Sequence, residues 1–144
     1  MPRIPVDVTN AGQVPPGDYE ATVTKIDYQM STSPSDDPER AAAGKYSWKG
    51  EHVRKDVPFH EWIAAPEAAR RAVAWLKTDK GTLFYNLYMV EGAAGFVKEY
   101  LDATGTPHDK EGYDLDESIN RKCRVTVVAD SDSGRSEVKR LSRI

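Results

Sequence analysis

Apolar and polar side chains alternate most regularly over three stretches, and each predicts a strand. Tyr19 to Met30 reads YEATVTKIDYQM, Thr82 to Val90 reads TLFYNLYMV, and Arg121 to Ala129 sets Cys123, Val125 and Val127 against Arg124 and Thr126. β-Branched and aromatic side chains dominate all three, the composition of a pleated, half-buried surface. In the first stretch Tyr19, Ala21 and Val23 share one face, while Ile26 and Tyr28 fall on the other. A bulge near Lys25, or burial of both faces, reconciles the two halves. Ser131 to Gly134 reads as a hairpin turn from the third strand into a last one, Arg135 to Leu141.

Helical spacing marks Glu91 to Thr104. Phe96, Val97, Tyr100 and Leu101 recur there at one-turn intervals, Gly105 stands at the cap and Pro107 bars continuation. Pro66, heading PEAARRAVAWLKT, predicts a further helix over 66–78, an insertion with Ala69, Val73 and Leu76 on one face and Arg70, Arg71 and Lys77 left wet. Residues 31–44 (STSPSDDPERAAAG) have the composition of a flexible loop. Lys45 to Ala64 lacks a clear period and is expected to hold one or two short strands, Phe59 to Ala64 being the better candidate. The acidic stretch up to Ile119 reads as loop, and residues 1–16, with four prolines, read as an extended arm ending in a Pro15-Pro16-Gly17-Asp18 turn. With no repeat and no interdomain linker, residues 1–144 form one expected domain, mainly β (α+β). Five strands and a helix are the inventory of an OB-fold. The expected architecture is therefore a small OB-like β-barrel with one or two helices, although periodicity alone leaves other α+β arrangements open.

Composition changes little in this picture. At 144 residues, 39% hydrophobic and 30% charged, the chain has material for one real core. No apolar run approaches the roughly 20 residues of a membrane span, and Met1 to Asn10 lacks the apolar stretch of a secretory signal. A single cysteine, Cys123, leaves no internal disulfide and no cysteine-based metal cluster. The cell interior is the expected compartment. Charge is more informative by position than by its sum of −3. Residues 1–40 carry 3 basic and 7 acidic side chains and 99–120 carry 1 and 7, whereas 41–98 carry 9 and 6 and 121–144 carry 7 and 3. Such segregation allows a positive groove on an acidic protein, and a mixed solvated surface accounts for it equally well.

Catalytic patterns are missing. The chain has no G-x-S-x-G, no P-loop and no H-E-x-x-H, and His52, His60 and His108 have no ligand spacing. The acidic cluster of Asp109, Glu111, Asp114, Asp116 and Glu117 lacks the ligand alternation of a calcium loop and reads as solvated. Cys123, on the core face of its strand, reads as an inert thiol. The expectation is a non-enzyme with no cofactor and no metal. The distinctive segment is Lys45 to Trp62, KYSWKGEHVRKDVPFHEW, where Tyr46, Trp48, Phe59 and Trp62 interleave with Lys45, Lys49, Arg54 and Lys55. Single-stranded nucleic acid is held by that combination, because each base offers a face to stack and each nucleotide a phosphate to pair. Phe59 and Trp62 read equally well as core residues. Arg124, Arg135, Lys139 and Arg140 on the closing hairpin offer a second cationic surface, or a charge-protected edge strand.

Three stretches carry a family resemblance: MPRIPVDVTNAG with PPGDYEATVTKIDY, then GTLFYNLYMVEGAAGFVKEYLDATG (81–105), then NRKCRVTVVADSDSGRSEVKRL (120–141). Together they resemble a family of small phage proteins encoded near recombination and replication genes and regarded as single-stranded-DNA-binding proteins with an OB-like fold. They cover about half of the chain, at both ends and in the right order. The Ser/Pro/Ala loop, the aromatic-basic segment and the 66–78 stretch depart from the family pattern. The terminal LSRI also replaces the acidic recruiting tail of many single-strand binders. The resemblance implies a non-catalytic phage protein in the host cytoplasm, binding single-stranded DNA beside recombinase or replication proteins. The resemblance transfers no contact residue; on the residues themselves, Tyr46, Trp48 and Tyr85 would stack bases, and Lys45, Lys49, Arg54, Lys55, Arg124, Arg135, Lys139 and Arg140 would meet phosphates. The alternative is an accessory module that uses its acidic loop or its arm to bind a protein partner. The arm also leaves a homo-oligomer open.

Overall fold

The alternating stretch at Tyr19 to Met30 becomes a single 15-residue strand around which the rest of the chain is arranged. A computed structural model describes residues 13–130 and 132–144. In chain order the elements are β1 (Gly17–Ser31), α1 (Pro38–Ala42), β2 (Val53–Arg54), α2 (Phe59–Trp62), β3 (Arg70–Thr78), β4 (Gly81–Tyr88), α3 (Ala94–Thr104), β5 (His108–Asp109), β6 (Gly112–Tyr113), β7 (Lys122–Ala129) and β8 (Ser136–Ser142). β1 is long enough to take different partners along its length. Its first part pairs with β7, from Gly17 opposite Val127 to Thr22 opposite Lys122, and its second part pairs with β3, from Thr22 opposite Lys77 to Met30 opposite Arg70. β2 joins the far end of β1. The antiparallel sheet therefore runs β4-β3-β1-β7-β8.

The expected bulge is present. The β1–β3 register shifts between Val23 and Lys25, and the extra residue turns the strand so that Ile26 continues the inward face begun by Ala21 and Val23. Inside, these side chains meet Leu76, Leu83, Leu87, Cys123, Val125, Val127 and Leu141. Burial pushes the Cys123 thiol up to about 11, which keeps it protonated and inert. α3 lays Val97, Tyr100 and Leu101 on this core and ends at Gly105, whose φ of 67° is the left-handed cap that favours glycine. Phe96, expected on the buried face, is exposed. The core-facing stripe of α3 passes through Val97, Tyr100, Leu101 and Thr104, and Phe96 lies off it.

Four expectations are corrected. The helix over 66–78 is a strand: after one 3-10 turn at Glu67–Ala69 the chain runs straight as β3. Ala72, Ala74 and Leu76 point inward at a period of two, and pairing with β1 and β4 on both edges overrides the helix propensity of the alanines. Phe59 to Ala64, expected as strand, opens with the one-turn helix α2 following Pro58. The 31–44 loop contains α1, started by Pro38 and capped by Asp37, whose carboxylate accepts from the Glu39 amide at 3.0 Å. The barrel is not closed, since among the described residues β4 and β8 lie beside each other without a hydrogen-bonded ladder. The acidic loop also gains structure, a small hairpin of β5 and β6 and a 3-10 turn that buries Leu115 and Ser118. Most of the expected N-terminal arm falls outside the described residues, and within it Val14 is buried, its carbonyl accepting from the Ser136 hydroxyl. Among the described residues no helix is long and apolar enough to cross a membrane.

Candidate nucleic-acid interface

Residues of β3 and β4 that do not face the core form the outward surface of that half of the sheet. The register sets Arg71 beside Tyr88, Val73 beside Asn86, Trp75 beside Phe84 and Lys77 beside Thr82. Across β3, the same face of β1 supplies Lys25 opposite Trp75, Asp27 opposite Val73 and Gln29 opposite Arg71. Two clusters of aromatic and cationic side chains result.

In the first cluster Trp75 meets Phe84 edge to face at 5.1 Å, and the Lys25 ammonium lies 4.9 Å from the Trp75 ring centroid. Phe84 is 58% exposed, an unusual position for a large aromatic side chain on a flat sheet face. Lys25 is steadied by Asp56 at 2.8 Å. That hydrogen bond is the main cause that raises the lysine and lowers the carboxyl from their ordinary values, with the attraction of the charges acting in the same direction. Since the Asp56 carboxyl titrates below its ordinary range, the clasp contributes above that range and is lost as pH falls through the folded value. Acid titration is therefore expected to perturb the fluorescence of Trp75 below about pH 4. An Asp56→Asn variant should lack that transition, and persistence of the transition in it would break the assignment.

In the second cluster the Arg71 guanidinium lies 4.5 Å from the Trp48 ring centroid and 5.9 Å from that of Tyr88, and the two rings meet edge to face at 5.8 Å. A buried chain of polar groups orients Arg71. Its Nε donates to Gln29 Oε1 at 2.9 Å, Gln29 donates to Asp27 at 2.7 Å, and Asp27 accepts from the Asp56 amide at 2.7 Å. A guanidinium held this way keeps a flat cationic face at a fixed position, the geometry suited to stacking and phosphate contact. The segment from Thr32 to Val57 carries Trp48 to the sheet. Backbone bonds from Thr32 to His52, from Ser35 to Lys45 and from Ser47 to Ser33 fix it, and the Ser31 hydroxyl donates to the Ser47 carbonyl.

The residues expected from the sequence are distributed unevenly. Trp48 lies within the second cluster. Lys45 is exposed, and Tyr46, half-buried, bridges to Pro34 in the same segment. Lys49 is paired with Asp36, Arg54 with Glu61 at 3.1 Å, and Lys55 is exposed. Tyr85 is not brought to this face. It points toward α3 and stacks on Tyr100 at 6.2 Å, and burial raises its hydroxyl. Arg124, Arg135, Lys139 and Arg140 are exposed on the β7–β8 side, which pairs with the first part of β1, whereas the aromatic clusters lie across its second part. Phe59 is exposed and Trp62 is buried. Arg71, Trp75, Phe84, Tyr88 and Lys25 were missed. The period of two in Arg71-Ala72-Val73-Ala74-Trp75-Leu76 was the available signal. Among the described residues no three His, Cys, Asp or Glu side chains gather as a metal-holding group. No family model, no curated protein and no solved structure matches the chain.

Proposed function

We propose that the chain is a non-catalytic single-stranded-DNA-binding protein whose strand is held on the outward face of β3 and β4. The carrying observation is the pair of aromatic-cation clusters on that face, with Phe84 and Trp75 at one end and Trp48, Tyr88 and Arg71 at the other. Bases stack on aromatic faces without sequence preference, and cations beside them meet the phosphates. The sheet order supports the reading. The path β4-β3-β1-β7-β8, with α3 between β4 and β7, is the order expected if an OB-like barrel were left open between its third and fifth strands. In that fold the second and third strands, here β3 and β4, and the loop after the first strand, here the Trp48 segment, are the surfaces that take oligonucleotides. A role in phage replication or recombination, in the host cytoplasm and beside a recombinase, is the setting that the family resemblance adds.

Fluorescence anisotropy of labelled oligo-dT and of a duplex, at low and moderate salt, tests this. Tighter binding to the single strand is expected, with an affinity that falls with salt by about 0.7 in log-log slope for each phosphate contacted. Trp48→Ala is expected to weaken it by about 1–3 kcal/mol. Absence of binding at low salt, or equal binding to duplex, would sink the reading.

A further inference from the structure

A groove of about 1020 Å³ opens beside the sheet, between α2, α3 and the β5–β6 hairpin. We infer that it docks an amphipathic basic segment of a protein partner, with apolar anchors inside and Lys or Arg at the rim. One wall carries Phe59 and Ile63, 54% and 50% exposed, and another carries Tyr113, 43% exposed. The floor includes Val97 and Leu101 of α3. Three large side chains left wet around one concavity are a surface built to be covered. The volume lies at the top of the range of about 300–1,000 Å³ usual for small ligands, which suits several side chains of a peptide.

Charge chooses the occupant. Glu67, Glu91, Asp109, Asp114 and Asp116 line the groove. Asp109, Asp114 and Asp116 accept from the Glu111 amide, the Asp116 amide and the Tyr28 hydroxyl, neutral donors that leave the carboxylate charge uncompensated. Of the basic side chains that line it, Lys98 pairs with Asp102 at 2.8 Å and Arg70 with Glu67 at 4.0 Å, while the His108 ring lies 3.2 Å from Asp102. Among the described residues that leaves Glu91, Asp109, Asp114 and Asp116 as the acidic groups of the rim with no cation beside them. Such a rim repels phosphates and attracts Lys and Arg, so this surface is separate in kind from the face of β3 and β4. An amphipathic helix laid in a groove meets both demands, with anchors on one face and basic residues flanking them.

The test uses a labelled peptide of about twelve residues with Leu and Lys at helical spacing, and an analogue with Glu in place of Lys. The Leu/Lys peptide is expected to bind the full chain and the Leu/Glu analogue to fail. Ile63→Asp, and separately Glu91→Lys with Glu67→Lys, should each weaken binding about tenfold. These positions are exposed, and oligo-dT affinity, measured alongside, should stay within about twofold of the parent if the variants are folded. Equal binding of both peptides, no binding of either, or stoichiometric displacement of the Leu/Lys peptide by oligo-dT would overturn the inference. So would a dimer that Ile63→Asp converts to monomer, which would give the groove to a second copy. If oligo-dT fails to bind while the Leu/Lys peptide binds, the proposed function falls and this inference stands.

Discussion

Phe84→Ala is expected to cost about 1–3 kcal/mol of oligo-dT affinity, roughly 5- to 150-fold, with little change in stability. The ring is 58% exposed, so removing it takes away little that the fold needs. In the proposed interface its exposed face is where a base would stack. Trp75→Ala should weaken binding by a similar factor. The double variant should lose less than the sum, because the two rings brace each other edge to face and each single change disturbs both. Tyr85 supplies the contrast. Its neighbour in sequence points outward, but Tyr85 itself stacks on Tyr100 beneath the sheet, so Tyr85→Phe should leave affinity unchanged. Anisotropy titrations of the four variants and the parent at one salt concentration decide the matter. An unchanged affinity in Phe84→Ala and Trp75→Ala would remove β3 and β4 from the interface even if the chain binds DNA elsewhere.

The difference between Phe84 and Tyr85 also shows where sequence reading succeeds and where it stops. Strands β1, β4 and β7 were legible because their β-branched and aromatic side chains alternate, and α3 was legible from its one-turn spacing and its glycine cap. β3 was not. Pro66 followed by Glu67, Ala68 and Ala69 is a good helix start, and Ala72 and Ala74 are good helix interior, so local propensity pointed the wrong way. What decides the matter is non-local, since β3 is enclosed by β1 and β4 and needs small inward side chains there. The error carried into the site. On a helix Arg71 belonged to a wet face and Trp75 had no aromatic neighbour, whereas in the strand each faces its partner on β4, Tyr88 and Phe84. Trp48 was singled out by the local composition of its segment, but the side chains it meets, Arg71 and Tyr88, come from β3 and β4. The acidic rim of the groove was visible as a charge run, but the apolar wall that faces it comes from α2, far away in sequence.

Trp62→Ala is expected to destabilise the chain by about 3–5 kcal/mol, the usual cost of emptying a buried aromatic site. From sequence, Trp62 stood equally as a core residue or a base-stacking one. At 3% exposure it belongs to the core. Its indole N–H donates to two carbonyls, Gln29 on β1 at 3.0 Å and Arg71 on β3 at 3.1 Å, and its ring packs edge to face against Tyr28 at 5.0 Å. Trp62 therefore ties α2 to both central strands. Its loss also releases one wall of the groove and the backbone of Arg71, on which the second cluster depends. For a domain of this size the change corresponds to a fall in Tm of roughly 10–15 °C. Trp62→Phe separates packing from hydrogen bonding, since it keeps most of the ring and drops the N–H, at about 1–3 kcal/mol for the orphaned carbonyls. Thermal unfolding of both variants, with oligo-dT titrations below their midpoints, gives the two quantities together. A Trp62→Ala protein as stable as the parent, but unable to bind oligo-dT, would return this residue to the DNA-facing surface and overturn its place in the core.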